Sequence, residues 1–248
     1  MVLSRQAKRY NRNNMNIGTY PKLKFKLNLE LDINIATQFL DIRAGGIDFG
    51  KGIIELYPSL RSAKKTSGNK RKKIVREFTI NYYQFHKKEL QQALEKTKKD
   101  WRKREKDFFK ETDKIFNSYP WPEGDYICYL SIFNCNPRFL ETKTFQVYYK
   151  HPEGTNHVIA HEMLHFIFFD YLEKKEKQFV KNVKKDRVWL LSESFNEIVL
   201  ELPQLKFFKS KQPFHYPETE KMIKSLKSLS KGHIFTLQLF LQKAKTLI

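Results

Sequence analysis

The chain has 248 residues, of which 40% are hydrophobic and 15% aromatic, and its formal net charge is +20. This length suits one large or two small domains, and the aromatic content excludes a wholly disordered chain. Two cysteines are too few for a disulfide scaffold, so we expect a reducing, cytoplasmic compartment. The longest uncharged apolar run, residues 166–169, is too short to cross a bilayer, which predicts no integral membrane association.

The excess charge is concentrated in the middle of the chain. Residues 61–110 carry 18 basic and 6 acidic side chains, whereas residues 121–202 carry 10 and 12. Such a basic segment is either a set of helices with solvated charged faces or a surface that binds nucleic acid. We favour solvated helices, and nucleic acid is the alternative partner of residues 61–110.

The N-terminal third of the chain predicts an arm followed by strands. Residues 1–21 are basic and lack periodicity, which indicates a flexible arm. From Leu23 to Ile33 apolar residues occupy alternate positions, the pattern of a half-buried strand. The glycines of residues 45–52 predict loops or bulges between further strands, the second of which covers residues 53–56.

The next segment predicts a loop and then long helices. Residues 61–73 combine basic and turn-forming side chains, as is typical of a loop. An amphipathic helical pattern then continues to about Phe116. The Pro-Trp-Pro-Glu-Gly stretch at residues 120–124 ends this region and predicts an internal boundary.

Two strands and a series of helices complete the predicted elements. The strands cover residues 126–133 and 144–149, with a turn at Asn136 and Pro137 between them. Beyond His151 the pattern is helical, with interruptions that we place at the prolines, Pro203, Pro213 and Pro217.

The segment that carries chemistry is an HExxH motif formed by His161, Glu162 and His165. Residues four apart lie on one helix face, so His161 and His165 can present ring nitrogens to one metal ion. Glu162 is rotated about 100° from His161 and can approach a metal-bound water without binding the ion. The motif therefore predicts hydrolysis, with zinc polarising water and Glu162 acting as general base and acid.

A catalytic zinc needs a third protein ligand and an open position for water. The Leu-Ser-Glu-Ser-Phe string at residues 191–195 resembles the LNEGF string of the aminopeptidase branch of the gluzincin metallopeptidases. This resemblance, over about residues 158–202, implies Glu193 as the third ligand. Asn196-Glu197 is similar to the thermolysin-branch NExxxD string and nominates Glu197 instead. We favour Glu193, whose surroundings match over more positions.

The resemblance also implies an oxyanion-stabilising side chain and a substrate-binding strand. Gluzincins generally use a Tyr or His for the oxyanion, and His215 and Tyr216 are the candidates downstream. The strand at residues 144–149 precedes the HExxH helix, as the edge strand of zincins does, where a peptide or protein substrate adds as an extra strand.

These patterns and the resemblance together predict an α+β, zincin-like zinc metallopeptidase. We expect a mainly antiparallel N-terminal sheet and an HExxH helix packed on a second, glutamate-bearing helix. In domain terms, the arm 1–21 precedes a β-rich region with a long basic helix at residues 22–120. That region forms one compact unit with a metallopeptidase core at residues 121–248.

Two other classes of protein fit parts of the same sequence. One is a nucleic-acid-associated basic protein with a structural metal, or a SprT-like protease that combines HExxH with DNA binding. SprT-like proteases use a third histidine, for which His215 and His233 are the downstream candidates. The other is a degenerate peptidase fold that binds a partner, against which the retention of Glu162 argues.

Overall fold

The computed structural model describes residues 20–210, 216–231 and 235–247. Within this part of the chain, helices and two small sheets form a mixed α and β architecture, as the sequence predicts at the level of class. The strands are β1 (Lys24–Leu27), β2 (Arg43–Ala44), β3 (Ile47–Asp48), β4 (Ile127–Ser131), β5 (Arg138–Phe139) and β6 (Thr144–Tyr148).

The helices of the described residues lie between β1 and β4 and after β6. They are α1 (Leu29–Phe39), α2 (Phe49–Leu56), α3 (Arg61–Lys64), α4 (Gly68–Phe85), α5 (Lys87–Arg102), α6 (Glu105–Ile115), α7 (Thr155–Lys175), α8 (Lys177–Asn182), α9 (Lys185–Leu200), α10 (Glu220–Leu226) and α11 (Leu237–Ala244). None of the described helices is long and apolar enough to cross a bilayer.

The prediction of a mainly antiparallel N-terminal sheet is wrong. The larger sheet has the order β1-β4-β6-β5, in which β1 pairs parallel with β4, β4 pairs parallel with β6, and only β5 runs antiparallel. A parallel pair needs a long crossover, and here six helices separate β1 from β4. Alternating hydrophobicity shows that a strand has a buried face but does not identify its partner.

The predicted strand from Leu23 to Ile33 is only partly correct. β1 ends at Leu27, and α1 begins after Asn28, whose side-chain oxygen accepts a hydrogen bond from the backbone nitrogen of Leu31 at 3.0 Å. An asparagine N-cap satisfies a free amide of the first helical turn and overrides the alternation that continues beyond it.

Residues 53–56 are helical, which corrects the strand predicted there. Asp48 caps α2 by accepting a hydrogen bond from the backbone nitrogen of Lys51 at 2.8 Å. Gly45 has a φ of 59° and forms the turn between β2 and β3 with the next residue, so the glycines do make the predicted turn. An Asp N-cap explains why the segment after the turn folds as a helix.

The loop predicted at residues 61–73 is also largely helical. It contains α3 and the first turns of α4, with the break between them at Gly68, whose φ is 54°. Arg71 is buried and donates to the carbonyl oxygens of Ala63 and Thr66, at 3.2 and 2.8 Å, so it ties the two helices together. A buried arginine that makes these hydrogen bonds gives a basic segment a structural role.

The structure confirms the helices predicted to about Phe116 and the strands predicted within residues 126–133 and 144–149. The predicted boundary at residues 120–124 is non-helical, but β1 pairs with β4 across it, so both segments share one sheet. Residues 1–19 of the predicted arm lie outside the described residues. Tyr20, near the end of that arm, stacks on Phe109 with ring centroids 4.8 Å apart.

A buried carboxylate joins α1 to the larger sheet. Asp32, with a solvent-exposed fraction of 0%, accepts hydrogen bonds from the Ser131 hydroxyl at 2.6 Å and the Gln146 side-chain amide at 2.7 Å. Its other oxygen accepts from the Tyr83 hydroxyl and the backbone nitrogen of Ile132. Burial raises the pKa of Asp32 to about 6, although these hydrogen bonds oppose the shift.

Candidate active site

The HExxH motif lies within α7, a helix whose residues 157–168 are buried except for His161. One turn separates His161 from His165, and their Nε2 atoms face each other at 3.0 Å. The side chain of His165 is completely buried, and its Nδ1 has no hydrogen-bond partner among the described residues. The helix therefore places two imidazole nitrogens next to each other, where one ion could contact both, as the motif spacing predicts.

The second helix, α9, packs on α7 and brings Glu193 to that point. One carboxylate oxygen of Glu193, Oε2, lies 2.9 Å from Nε2 of His161, and the other, Oε1, lies 3.4 Å from Nε2 of His165. The side-chain amide of Asn196 donates to the backbone oxygen of His161 at 2.9 Å and fixes the register of the two helices. Glu193 is 2% exposed, so water does not screen these contacts.

Glu197 occupies a different position, one turn further along α9. Its carboxylate lies near His157 and His161, in a group whose candidate ligand atoms are all within 4.8 Å of one another. The Nδ1 atom of His157 donates to the backbone oxygen of Phe208 at 2.7 Å, and its Nε2 atom lies 3.5 Å from Oε1 of Glu153. The structure thus brings Glu193, and not Glu197, to both histidines of the motif.

Glu162 faces the same centre from α7 and is 4% exposed. Its Oε2 atom makes no hydrogen bond to the described residues and lies 3.7 Å from a guanidinium nitrogen of Arg138. Burial raises the pKa of Glu162 to about 7, against the opposing charge of Arg138. A carboxyl group with a pKa near neutrality can both accept and return a proton.

Arg138 is a site residue that the sequence analysis missed. It lies on β5, and its guanidinium donates to Oε1 of Glu193 at 3.0 Å. The guanidinium carbon also lies 5.7 Å from the centre of the Phe169 ring. A single arginine after Asn136-Pro137 belongs to no motif or periodic pattern, so no sequence signal pointed to it.

Burial and neighbouring charges shift the pKa values of the ionisable side chains at the site. Burial lowers the pKa of His161, but its hydrogen bond to Glu193 outweighs burial and raises the pKa to about 9. Burial lowers the pKa of His165 to about 3, and the charge of Arg138 acts in the same direction. Burial alone would raise the pKa of Glu193, but the Arg138 guanidinium and the hydrogen bond with His161 hold it well below its ordinary value. His165 is therefore neutral and Glu193 ionised.

Tyr216 reaches the site, whereas His215 lies outside the described residues. Tyr216 lines the same cavity as Glu162, and its ring packs 5.0 Å from that of Trp189 on α9. A Cβ atom at Gly45 would lie 2.4 Å from the Tyr216 ring, so the glycine turn packs directly on it. Burial raises the pKa of Tyr216 above its ordinary value, so the phenol stays protonated.

The site opens into a cavity of about 740 Å³. Its walls include α2, the segment between β4 and β5, and the first turns of α7. The strand expected to form the substrate-binding edge, residues 144–149, is not at the edge, because β5 pairs with β6 on the side away from β4. The free edge nearest the site is the short strand β5, which carries Arg138.

The basic segment 61–110 forms helices away from the cavity lining. Several of its cations pair with acidic side chains three or four residues away, as in Lys96 with Asp100 and Lys98 with Glu95. Other lysines, among them Lys72 and Lys88, are solvent-exposed. These ion pairs are typical of solvated helix faces.

Comparison of the chain with protein-family models, curated protein sequences and solved structures finds no match. The resemblance of residues 158–202 to gluzincins therefore stays a prediction.

Proposed function

We propose that the protein is a zinc-dependent metallopeptidase, with His161, His165 and Glu193 as zinc ligands and Glu162 as general base and acid. The observation that carries this proposal is the convergence of two Nε2 atoms and one carboxylate, from two helices, at one buried point. Two histidines and a glutamate are a donor set typical of catalytic zinc.

The distances between the donor atoms fit a metal ion. In a tetrahedral site with zinc–ligand distances of about 2.0–2.2 Å, donor atoms lie about 3.3–3.6 Å apart. Nε2 of His161 lies 2.9 Å from Oε2 of Glu193 and 3.0 Å from Nε2 of His165, and Oε1 of Glu193 lies 3.4 Å from Nε2 of His165. Small outward movements of these side chains would admit the ion. Two facing imidazole nitrogens share at most one hydrogen bond, whereas a cation satisfies both lone pairs.

The arrangement favours a catalytic metal over a structural one. Structural zinc is normally closed by four protein ligands, whereas catalytic zinc has three and an open position. Among the residues that the structure describes, three donors converge here, and both His161 and Glu162 line the cavity. The volume of the cavity, about 740 Å³, is in the range of pockets that bind small ligands or a few peptide residues.

Bound zinc would supply a Lewis acid for the substrate carbonyl and lower the pKa of a coordinated water. Glu162 takes the proton of the attacking water and returns it to the leaving nitrogen, and a pKa near neutrality suits it to both transfers. Tyr216, protonated and at the cavity wall, is our candidate for the donor to the oxyanion. Asn196 keeps α7 and α9 in register, so the ligands stay together.

The test is to measure zinc content and peptidase activity on the same purified samples. We expect about one zinc per chain, with loss of zinc in His161→Ala and His165→Ala. Glu162→Gln should keep the zinc and lose proteolysis of a casein or peptide-library substrate. His86→Ala is the matched control, because His86 is paired with Glu89 at the start of α5 and takes no part in the site.

A metal-free wild-type protein after zinc loading and dialysis would overturn the proposal. A structural metal would be favoured instead if wild type and Glu162→Gln both held one zinc per chain and neither hydrolysed any peptide in the library.

A further inference from the structure

We propose that Arg138 is a positioning residue of this site, which makes Glu193 a one-oxygen ligand and so keeps a coordination position open for water. The inference rests on the proposed function, because it assigns a role within the same metal site. It concerns a residue outside the HExxH motif and outside the helix that carries Glu193.

The backbone around Arg138 is fixed by the sheet. β5 pairs antiparallel with β6, where Arg138 lies opposite Phe145. Just before Arg138, the backbone oxygen of Pro137 accepts a hydrogen bond from the backbone nitrogen of Gln146 at 2.9 Å. The side-chain oxygen of Asn136 accepts one from the backbone nitrogen of Tyr148 at 2.8 Å. The guanidinium therefore extends from a rigid position.

The two oxygens of Glu193 have different partners. Oε2 lies 2.9 Å from Nε2 of His161, whereas Oε1, which is 3.4 Å from Nε2 of His165, also accepts the hydrogen bond from Arg138 at 3.0 Å. An oxygen held by a guanidinium is a poorer metal ligand, so Glu193 would bind through Oε2. A carboxylate that bound through both oxygens would take two coordination positions, and a catalytic zinc needs one of them free for water.

The same guanidinium also faces the general base. One of its nitrogens lies 3.7 Å from Oε2 of Glu162, while the other donates to Glu193. The planar fork of arginine can address two carboxylates at fixed separation, whereas a lysine ammonium is a single point charge. Arg138 thus fixes the angle between the ligand carboxylate and the base, and its side chain is only 17% exposed.

The test compares wild type with Arg138→Met, Arg138→Lys and the exposed control Arg61→Met. Zinc affinity is measured by competition with a chromophoric chelator, and kcat and KM are measured on the zinc-loaded proteins. We expect Arg138→Met to bind zinc about 10- to 100-fold more weakly, as for other residues that orient a metal ligand. Its kcat should fall while KM stays within about twofold, because the residue acts on the ligand and the base.

Arg138→Lys retains the charge and keeps the test open if Arg138→Met does not fold. It should bind zinc about tenfold more weakly than wild type, because one ammonium cannot hold both carboxylates. Zinc affinity equal to wild type in both folded Arg138 variants would overturn the inference and leave the zinc site standing. A rise in KM with kcat unchanged would also overturn it, because Arg138 would then contact the substrate. Failure of wild type to bind zinc would instead remove the proposed function itself.

Discussion

The carboxylate of Glu193 lies 2.9 Å from Nε2 of His161, although the two residues are 32 positions apart and belong to different helices. Glu197, one turn further along the same helix, lies near His161 but also near His157. The choice between two glutamates that the sequence left open is thus a question of how α9 crosses α7.

Glu193→Gln and Glu197→Gln should have unequal effects on zinc binding. Loss of a ligand carboxylate should lower zinc affinity by more than about 100-fold, whereas loss of a carboxylate outside the ligand set should cost about 10- to 100-fold at most. Isothermal titration or chelator competition measures both variants under one condition. A larger loss of zinc affinity in Glu197→Gln than in Glu193→Gln would show that Glu197 is the metal ligand.

Zinc affinity should rise with pH. Without metal, the pair with Glu193 raises the pKa of His161 from 6.5 to about 9. The pair therefore makes its full contribution to the stability of the fold below pH 6.5. That contribution is lost as the pH rises through 9. Zinc needs the neutral imidazole, so it competes with a proton throughout this window.

Chelator competition between pH 6.5 and 9, corrected for the titration of the chelator, should therefore show affinity rising by up to about tenfold per pH unit. The increase in Tm on adding zinc should grow over the same window. A flat affinity profile would contradict the assignment of His161 as the protonated partner of Glu193.

Tyr216→Phe should reduce turnover and leave metal binding intact. Removing a donor to a developing oxyanion typically lowers kcat by about 100-fold or more. Zinc content and KM should stay near their wild-type values, and Tyr129→Phe on β4 serves as the control. If Tyr216→Phe instead raised KM at constant kcat, Tyr216 would be a wall of the substrate pocket and not an oxyanion donor.

Asp32→Ala should destabilise the fold more than Asp32→Asn. The alanine variant leaves buried donors at Ser131, Tyr83 and Ile132 without their acceptor, at a cost of about 3–5 kcal/mol. An asparagine amide can pair with Oε1 of Gln146, which has no hydrogen-bond partner among the described residues, so it should cost about 1–2 kcal/mol. Urea unfolding at pH 7 measures both, and equal losses would show that the carboxylate charge itself is needed.

The features that depend on local periodicity could be predicted from the amino-acid sequence. The four-residue spacing of His161 and His165 places them on one face of any helix, and an apolar stretch around them predicts burial. The strands within residues 126–133 and 144–149 were predictable because alternation and turn residues bound them. Long helices before Phe116 followed from their amphipathic pattern.

Features that depend on contacts between distant segments could not be predicted from local patterns and required the folded structure. Whether Glu193 or Glu197 meets the histidines depends on the packing of two helices, and both residues fit the helical period equally well. The parallel pairing of β1 with β4 joins segments about a hundred residues apart, which alternation cannot specify. Arg138 enters the site from a two-residue edge strand, too short to leave any pattern. Local periodicity fixes which side of an element is buried, and the partner it meets there is set by the rest of the fold.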